Sequence, residues 1–211
     1  MTRILYLSCS PKGSVAVSGI FAQELLGRLT RRHPEAKIRH RDLAATPVPF
    51  IDAAFCAAIM NPTGMDPAGT HAAFTMSETL VEELERSDVL VIATPMHNYT
   101  VPAVLKNWID QIVRIHRTFA STPAGKVGKL ADRPVFVVVA SGGWFTGPSP
   151  IGTPAQPDFL TSYLRAILNT IGLTDIHFFT LEGVTRGPEM RDHAFNRARE
   201  ALDRLLPDNA M

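Results

Sequence analysis

The residues best suited to ligand chemistry follow the apolar run at residues 89–93, which leads into a short polar and aromatic segment. A flat heteroaromatic ring needs an apolar surface and a few directed hydrogen bonds. Met96 and Tyr99 could supply the surface, and the Asn98 amide could pair with polar edges of the ring. A polar turn carrying one aromatic side chain is the alternative, in which His97 is a surface residue. The segment consists of Pro95, Met96, His97, Asn98 and Tyr99.

A second candidate segment, residues 8–18, joins the apolar run at residues 4–7 to an amphipathic stretch. The hydroxyls of Ser10, Ser14 and Ser18 favour an anion site where they meet the free N–H groups of a helix start. Ser18 is also predicted to be the N-cap of that helix. The segment contains no GxGxxG or Walker-type pattern, so it fits one terminal phosphate better than a dinucleotide. An ordinary serine-rich turn is the alternative.

A third candidate segment directly follows the apolar run Val135–Ala140 and contains the pair Gly142 and Gly143. Paired glycines let the backbone approach a ligand closely, and successive N–H groups can stabilise a negative charge. Trp144 and Phe145 come next, and they could either wall a pocket or serve a subunit contact.

These segments form one site if the apolar runs are strands of a parallel sheet. Runs that are apolar at every position, without alternation, are typical of strands buried on both faces. Open α/β sheets bind ligands at the carboxyl ends of such strands. The predicted buried strands are residues 4–7, 89–93, 135–140 and 176–179, and the mostly polar residues 37–41 are predicted to form an edge strand.

Amphipathic segments between the strands predict right-handed crossovers and a doubly wound sheet. Five strands with five helices favour a flavodoxin-like α/β fold with strand order 2-1-3-4-5 and three α/β/α layers. Pro102 fits the first turn of its helix, where a missing N–H costs nothing. We expect a single domain over residues 1–211, with a short helix at 52–60 and long connections at 46–69, 116–133 and 142–157. The main helices are predicted at residues 18–31, 71–86, 102–114, 158–171 and 188–205.

Composition and spacing disfavour several other functions. A net charge of +1 lacks the basic excess of a nucleic-acid surface. The two cysteines are far apart and the seven histidines lack paired spacing, so no metal site is predicted. Hydrolase chemistry is disfavoured because no GxSxG nucleophile motif occurs. No apolar run approaches the roughly 20 residues that span a bilayer, and none forms a signal peptide, so we expect a cytoplasmic protein without a membrane partner.

Four stretches in this order resemble the FMN-dependent NADH-azoreductase and NADH:quinone oxidoreductase family. They are SPKGSVAVS at 10–18, ATPMHNYTVPAVLKNWID at 93–110, ASGGW at 140–144, and YLRAILNTIGLTDIHFFTLEG at 163–183 followed by GPEM. The resemblance implies a flavodoxin-like homodimer with tight, non-covalent FMN at the subunit interface. It also implies that NADH or NADPH reduces the flavin, which then reduces a quinone or azo compound by two electrons in a ping-pong cycle. The flavin carries this chemistry, so no catalytic protein residue is implied.

Carried over position by position, the resemblance gives each segment a role. The first would hold the FMN phosphate, the second would line the flavin, and the third would cover its pyrimidine edge. The implied cofactor-binding residues are Ser10, Ala16, Val17, Ser18, Pro95, Met96, His97, Asn98, Tyr99, Ala140, Ser141, Gly142 and Gly143.

Three departures from the family pattern stand out. Ala16 replaces a usual serine, His97 replaces a usual aromatic residue, and Ala140-Ser141 replaces a usual Ser-Arg pair. We expect the chain to differ most from its relatives at His97. Two other hypotheses remain: a flavin-binding electron carrier or regulator without reductase turnover, and a flavodoxin-fold protein that has lost its flavin.

Overall fold

Five parallel strands form the main sheet in a computed structural model, which describes residues 1–60 and 67–207. The strand order is β2-β1-β3-β6-β7, which is the predicted order 2-1-3-4-5 once a separate hairpin, β4–β5, is set aside. Part of the predicted connection 46–69 and the last residues, 208–211, lie outside the described residues. The strands are β1 (Arg3–Ser8), β2 (Lys37–Asp42), β3 (Val89–Pro95), β4 (Phe119–Thr122), β5 (Gly125–Gly128), β6 (Val135–Ala140) and β7 (Ile176–Leu181).

The helices agree with the predicted segments apart from their ends. Residues 53–60 form the predicted short helix, which gives six α-helices among the described residues. They are α1 (Val17–Arg32), α2 (Ala53–Met60), α3 (Pro67–Glu85), α4 (Ala103–Ile112), α5 (Thr161–Ile171) and α6 (Pro188–Leu205).

The core is divided between the two faces of the sheet, which explains why the buried strands are apolar at every position. Alternate residues of a strand point to opposite faces. Leu90 and Ile92 of β3 pack in one cluster with apolar residues of α3, α4 and α5. Val91 and Ala93 pack in a second cluster with α1 and α6. Strand β2 is mostly exposed, as the predicted edge position requires.

The predicted connection 116–133 contains a two-stranded antiparallel hairpin, β4–β5, that the sequence analysis missed. Its strands are only four residues long and mostly exposed, so they carry little periodic signal. The hairpin packs tightly against the end of α5. A Cβ at Gly128 would lie 2.2 Å from the Gly172 backbone nitrogen, so the contact requires glycine.

The roles predicted for Ser18 and Pro102 at their helix starts are wrong. Ala16, not Ser18, is the N-cap of α1, because its extended backbone (φ −65°, ψ 126°) ends the preceding turn and the helix begins at Val17. Pro102 is likewise the N-cap of α4 rather than part of its first turn. At α5 the Asp158 carboxylate accepts the backbone N–H groups of residues 160 and 161, both at 2.9 Å, which satisfies donors at the helix start.

Candidate functional site

A cavity of about 230 Å³ lies at the carboxyl ends of β1, β3 and β6, where the three candidate segments meet. We call residues 9–16 the first loop, 96–102 the second loop and 141–160 the third loop. Backbone hydrogen bonds tie them to neighbouring strands: Cys9 N–H donates to Ala93 O and Met96 N–H donates to Ala140 O, at 2.9 and 2.8 Å. The lining residues are Ser10, Pro11, Lys12, Val17, Ser18, Pro95, Met96, His97, Ala140, Gly142, Val184 and Thr185.

Most of the predicted cofactor-binding residues come together here. Ser10, Val17, Ser18, Pro95, Met96, His97, Ala140 and Gly142 all line the cavity. The other predicted residues lie outside its wall, in positions described below; they are Ala16, Asn98, Tyr99, Ser141 and Gly143.

The start of α1, directly after the first loop, places backbone donors without an acceptor within the helix beside the cavity. The first N–H groups of a helix have no acceptor within the helix, and α1 begins at Val17 beside the cavity. The N-cap Ala16 has no side-chain oxygen to satisfy them. Ser10 and Ser18 add buried hydroxyls, and Lys12 adds a positive charge to the wall. This end of the cavity therefore suits an anion.

The second loop begins with a tight two-residue turn. His97 N–H donates to Thr100 O at 2.9 Å, and Thr100 N–H donates to His97 O at 3.0 Å. Asn98 and Tyr99 between them have φ values of 49° and 71°, in the left-handed region that asparagine tolerates better than most residues. Both side chains are exposed, whereas Met96 and His97 line the cavity. Asn98 thus has a backbone reason to be in this turn.

The third loop uses its polar groups internally. Ser141 is buried, and its hydroxyl accepts the Gly143 N–H at 3.2 Å and the Gln156 side-chain amide at 3.0 Å. The successive glycine N–H groups are thus not both available, because only Gly142 N–H has no acceptor among the described hydrogen bonds. Gly142 also allows a close approach, since a Cβ there would lie 2.9 Å from Thr185 Oγ1.

Glu182, directly after β7, fixes the same loop and was missed by the sequence analysis. Its buried carboxylate accepts the Phe145 N–H at 2.6 Å, the Thr146 N–H at 2.8 Å and the Thr146 hydroxyl at 2.6 Å. The Arg197 guanidinium lies 3.8 Å away. Trp144 and Phe145 are held inside the protein, so they neither wall the cavity nor present a free surface.

Four lining residues were also absent from the sequence-based site. Pro11 and Lys12 belong to the first loop, and Val184 and Thr185 follow β7. Val184 and Thr185 could have been predicted from their position. They lie on a fourth loop, after β7, and this loop is at the same carboxyl edge of the sheet as the cavity.

A larger cavity of about 580 Å³ lies between α1 and α6 and shares only Val184 and Thr185 with the first. It contains none of the residues predicted to bind a cofactor. Position at the strand ends, rather than volume, identifies the smaller cavity as the candidate site.

Other sites receive no support from the described part of the chain. Within residues 1–60 and 67–207, no group of three or more His, Cys, Asp or Glu side chains could hold a metal. None of the helices described is long and apolar enough to cross a bilayer. Cys9 and Cys56 are free, and burial raises the pKa of the Cys9 thiol far above its usual range, so this thiol stays protonated.

Comparison with known proteins agrees with this geometry. A family model described as a flavodoxin-like fold matches residues 2–206. FMN-dependent NADH:quinone oxidoreductase 4 of Pseudomonas fluorescens is 46% identical and covers 96% of this chain and 94% of its own length. FMN-dependent NADH:quinone oxidoreductase 2 of Cupriavidus pinatubonensis is 44% identical, covering 93% and 94%.

The fold itself is similar to that of a solved structure. The FMN-dependent NADH-azoreductase of Bacillus anthracis, solved in complex with FMN, superposes with a TM-score of 0.80 at 24% identity. The superposition covers 98% of this chain and all of the other. Fold, strand order and sequence identity agree, and the chain belongs to the flavodoxin-like family that includes the FMN-dependent NADH:quinone oxidoreductases.

Proposed function

We propose that this protein is an FMN-dependent NADH:quinone oxidoreductase that reduces quinones or azo compounds by two electrons. The observation that carries the proposal is the meeting of three loops, after β1, β3 and β6, at one cavity on the carboxyl edge of the sheet. Relatives at 46% and 44% identity carry this activity in their names. NADH or NADPH would serve as the electron donor in a ping-pong cycle.

The residues present fit FMN. Its phosphate would meet the free N–H groups at the start of α1, the buried Ser10 and Ser18 hydroxyls, and Lys12. The backbone N–H of Gly142 has no acceptor among the described hydrogen bonds, so it is open to a ligand edge. When bound, the flavin supplies the hydride chemistry, so the protein's part is binding, orientation and electrostatics.

The protein's own residues divide this work along the cavity. The first loop binds an anion, Met96 gives apolar surface, and the third loop offers one fixed N–H donor. His97 lines the cavity at an exposed position, where it could contact an acceptor and distinguish this chain from relatives with an aromatic residue there. Ser141, Gly143 and the Asn98–Tyr99 turn support the walls from outside them.

We also propose a homodimer with FMN at its interface. Large apolar side chains near the cavity loops are exposed in the single chain: Val15 by 68%, Tyr99 by 46% and Phe159 by 60%. Tyr99 O accepts the Phe159 N–H at 3.0 Å, so these two lie together beside the second loop. Exposed apolar side chains that lie together, as these two do, are typical of an interface.

We further propose a three-layer architecture, a single domain and a cytoplasmic location. The two core clusters, one on each face of the sheet, favour a three-layer α/β/α arrangement. The family match over residues 2–206 supports one domain for residues 1–211. Two free cysteines are consistent with a reducing cytoplasm, which we propose as the location.

One preparation tests the function. The purified protein should show flavin absorbance, release FMN identified by mass spectrometry, and oxidise NADH when a benzoquinone is added. Bound FMN without turnover toward quinone or azo acceptors would favour an electron carrier. No flavin, and none taken up from added FMN, would contradict the proposal.

A further inference from the structure

Gln156 connects two walls of the cavity although it does not line the cavity itself. Its side-chain nitrogen donates to the Ser141 hydroxyl at 3.0 Å and to the Met96 sulfur at 3.3 Å. Its backbone N–H donates to Trp144 O at 2.7 Å, which fixes the main chain at this point. We propose that Gln156 is a positioning residue that clamps Met96 to the third loop, an inference that rests on the proposed function.

Each hydrogen-bond donor in the clamp has an acceptor. A side-chain amide has two N–H donors, and Gln156 directs one to Ser141 and one to Met96. A hydroxyl accepts two hydrogen bonds and donates one. Ser141 accepts from Gln156 and from Gly143 N–H, which leaves its proton for the Met96 sulfur at 4.0 Å. The cluster therefore specifies one arrangement of its side chains.

The clamp matters because methionine is the most adaptable apolar side chain. Three rotatable bonds let it fill irregular gaps in several conformations. Two donors aimed at the sulfur remove that freedom, so Met96 presents a fixed apolar surface beside Ala140 in the cavity. A binding wall fixed before the ligand arrives lowers the entropy cost of binding.

The second glycine of the pair is also explained by Gln156. A Cβ at Gly143 would lie 2.5 Å from Gln156 Oε1, so the amide packs directly on the loop backbone. Gly142 is needed for the approach of Thr185, whereas Gly143 is needed for the clamp.

Two variants test the inference against a matched control. Gln156→Glu keeps the size of the side chain but has no donor, and Gln156→Leu removes the donors without adding charge. Thr153→Ala changes an exposed residue of the same loop and serves as the control. Three quantities are measured on the full-length protein: the FMN dissociation constant, the midpoint potential of bound FMN, and the Met96 resonance in protein labelled at methionine methyl groups.

Both Gln156 variants should raise the FMN dissociation constant by about tenfold, since each loses two hydrogen bonds. Both should shift the Met96 methyl resonance and the potential of the bound flavin, which a loss of stability alone would leave unchanged. Thr153→Ala should match the wild type in all three. A Met96 resonance unmoved in both Gln156 variants would overturn the inference. Failure of the wild type to bind FMN would instead overturn the proposed function, and the methyl resonance would still decide the inference.

Discussion

The start of α1 and the third loop border the same cavity, yet their polar groups are used in opposite ways. At the start of α1, Val17 and Ser18 line the cavity, their N–H groups have no acceptor within the helix, and Ala16 offers no side-chain cap. In the third loop the Gly143, Phe145 and Thr146 N–H groups are already bonded to Ser141 or Glu182. One end is left open for a ligand, and the other is completed by the protein.

This difference indicates how the work of binding is divided. Unpaired donors are costly unless a ligand satisfies them, so the start of α1 should gain most when an anion binds. Donors that are already satisfied rigidify the chain instead, so the third loop should behave as a fixed wall. Ala16 fits this division, because a capping serine would compete for the same N–H groups.

The largest effect should come from a negative charge at the open end. Ser18→Asp should weaken FMN binding by more than about 100-fold, because a carboxylate would repel the phosphate and cap the free N–H groups. Ser14→Asp, at an exposed position of the first loop outside this cavity wall, is the charge-matched control and should lose far less. Fluorescence titration with FMN measures both. Equal losses in the two variants would show that net charge, rather than the open end, controls binding.

The next effect should appear at the closed end. Glu182→Gln should lower the free energy of unfolding by about 1–3 kcal/mol, because charged hydrogen bonds to the Phe145 and Thr146 groups are weakened. Glu200→Gln removes the same charge from an exposed site and should change stability by under about 0.5 kcal/mol. Urea unfolding measures both free energies. Equal free energies of unfolding in Glu182→Gln and Glu200→Gln would mean that Glu182 does not hold the third loop.

Substitutions at Asn98 distinguish a role in the backbone turn of the second loop from a contact with the ligand. Asn98→Leu should destabilise the protein by about 1 kcal/mol, because a branched side chain is strained at a φ of 49°. The same variant should weaken flavin binding if the amide also contacts the ring. Asn98→Gly keeps the turn, so it isolates the contact. FMN affinity at the wild-type value in Asn98→Gly would assign Asn98 to the turn alone.

The smallest expected effect is on the pH dependence of stability, and it comes from a cluster of charged residues away from both loops. Hydrogen bonds from Arg117 hold the pKa of Glu85 below its usual value against the opposing effect of burial. Burial acts to raise the pKa of Glu78, but bonds from Arg114 and Arg117 outweigh it. Because these folded-state pKa values are lowered, their stabilisation is present above the unfolded value near 4.5 and is lost as the pH falls below it.

Partial exposure limits this contribution to about 1 kcal/mol. Urea unfolding at pH 7 and pH 3.5 should show a smaller pH dependence in Arg117→Gln than in the wild type. Arg86→Gln, which breaks one exposed pair with Glu82, should retain the wild-type dependence. The same pH dependence in all three proteins would show that the cluster does not contribute to the pH dependence of the free energy of unfolding.

The parts of the fold that follow local rules were predictable from the sequence. The run at residues 89–93 is apolar at every position because both faces of the sheet are covered, and such runs identified the buried strands and the edge of the sheet where the site lies. The β4–β5 hairpin was not predictable, because it depends on the contact of Gly128 with Gly172. The Ser18 prediction failed because the capping residue was chosen by type and lies two residues too late: the extended backbone at Ala16 already starts the helix.

The site likewise has residues that could be predicted from the sequence and residues that could not. Ser10, Met96 and Gly142 could be placed at the cavity from the sequence because each lies within two residues of the end of a recognisable strand. Glu182 and Gln156 were missed because their partners lie far away in the sequence, on loops whose paths have no local pattern. Hydroxyl residues marked the open end and the glycine pair marked the position of the closed end, but the carboxylate and amide contacts that complete the closed end arise only in the folded chain.

The most direct test of the division between the two ends compares FMN with riboflavin, which lacks the terminal phosphate. If the open end at α1 binds that phosphate, FMN should bind at least about 100-fold more tightly than riboflavin, and added inorganic phosphate should compete. Titration of the flavin-free protein with each compound gives both constants. Equal affinities for FMN and riboflavin would contradict the account.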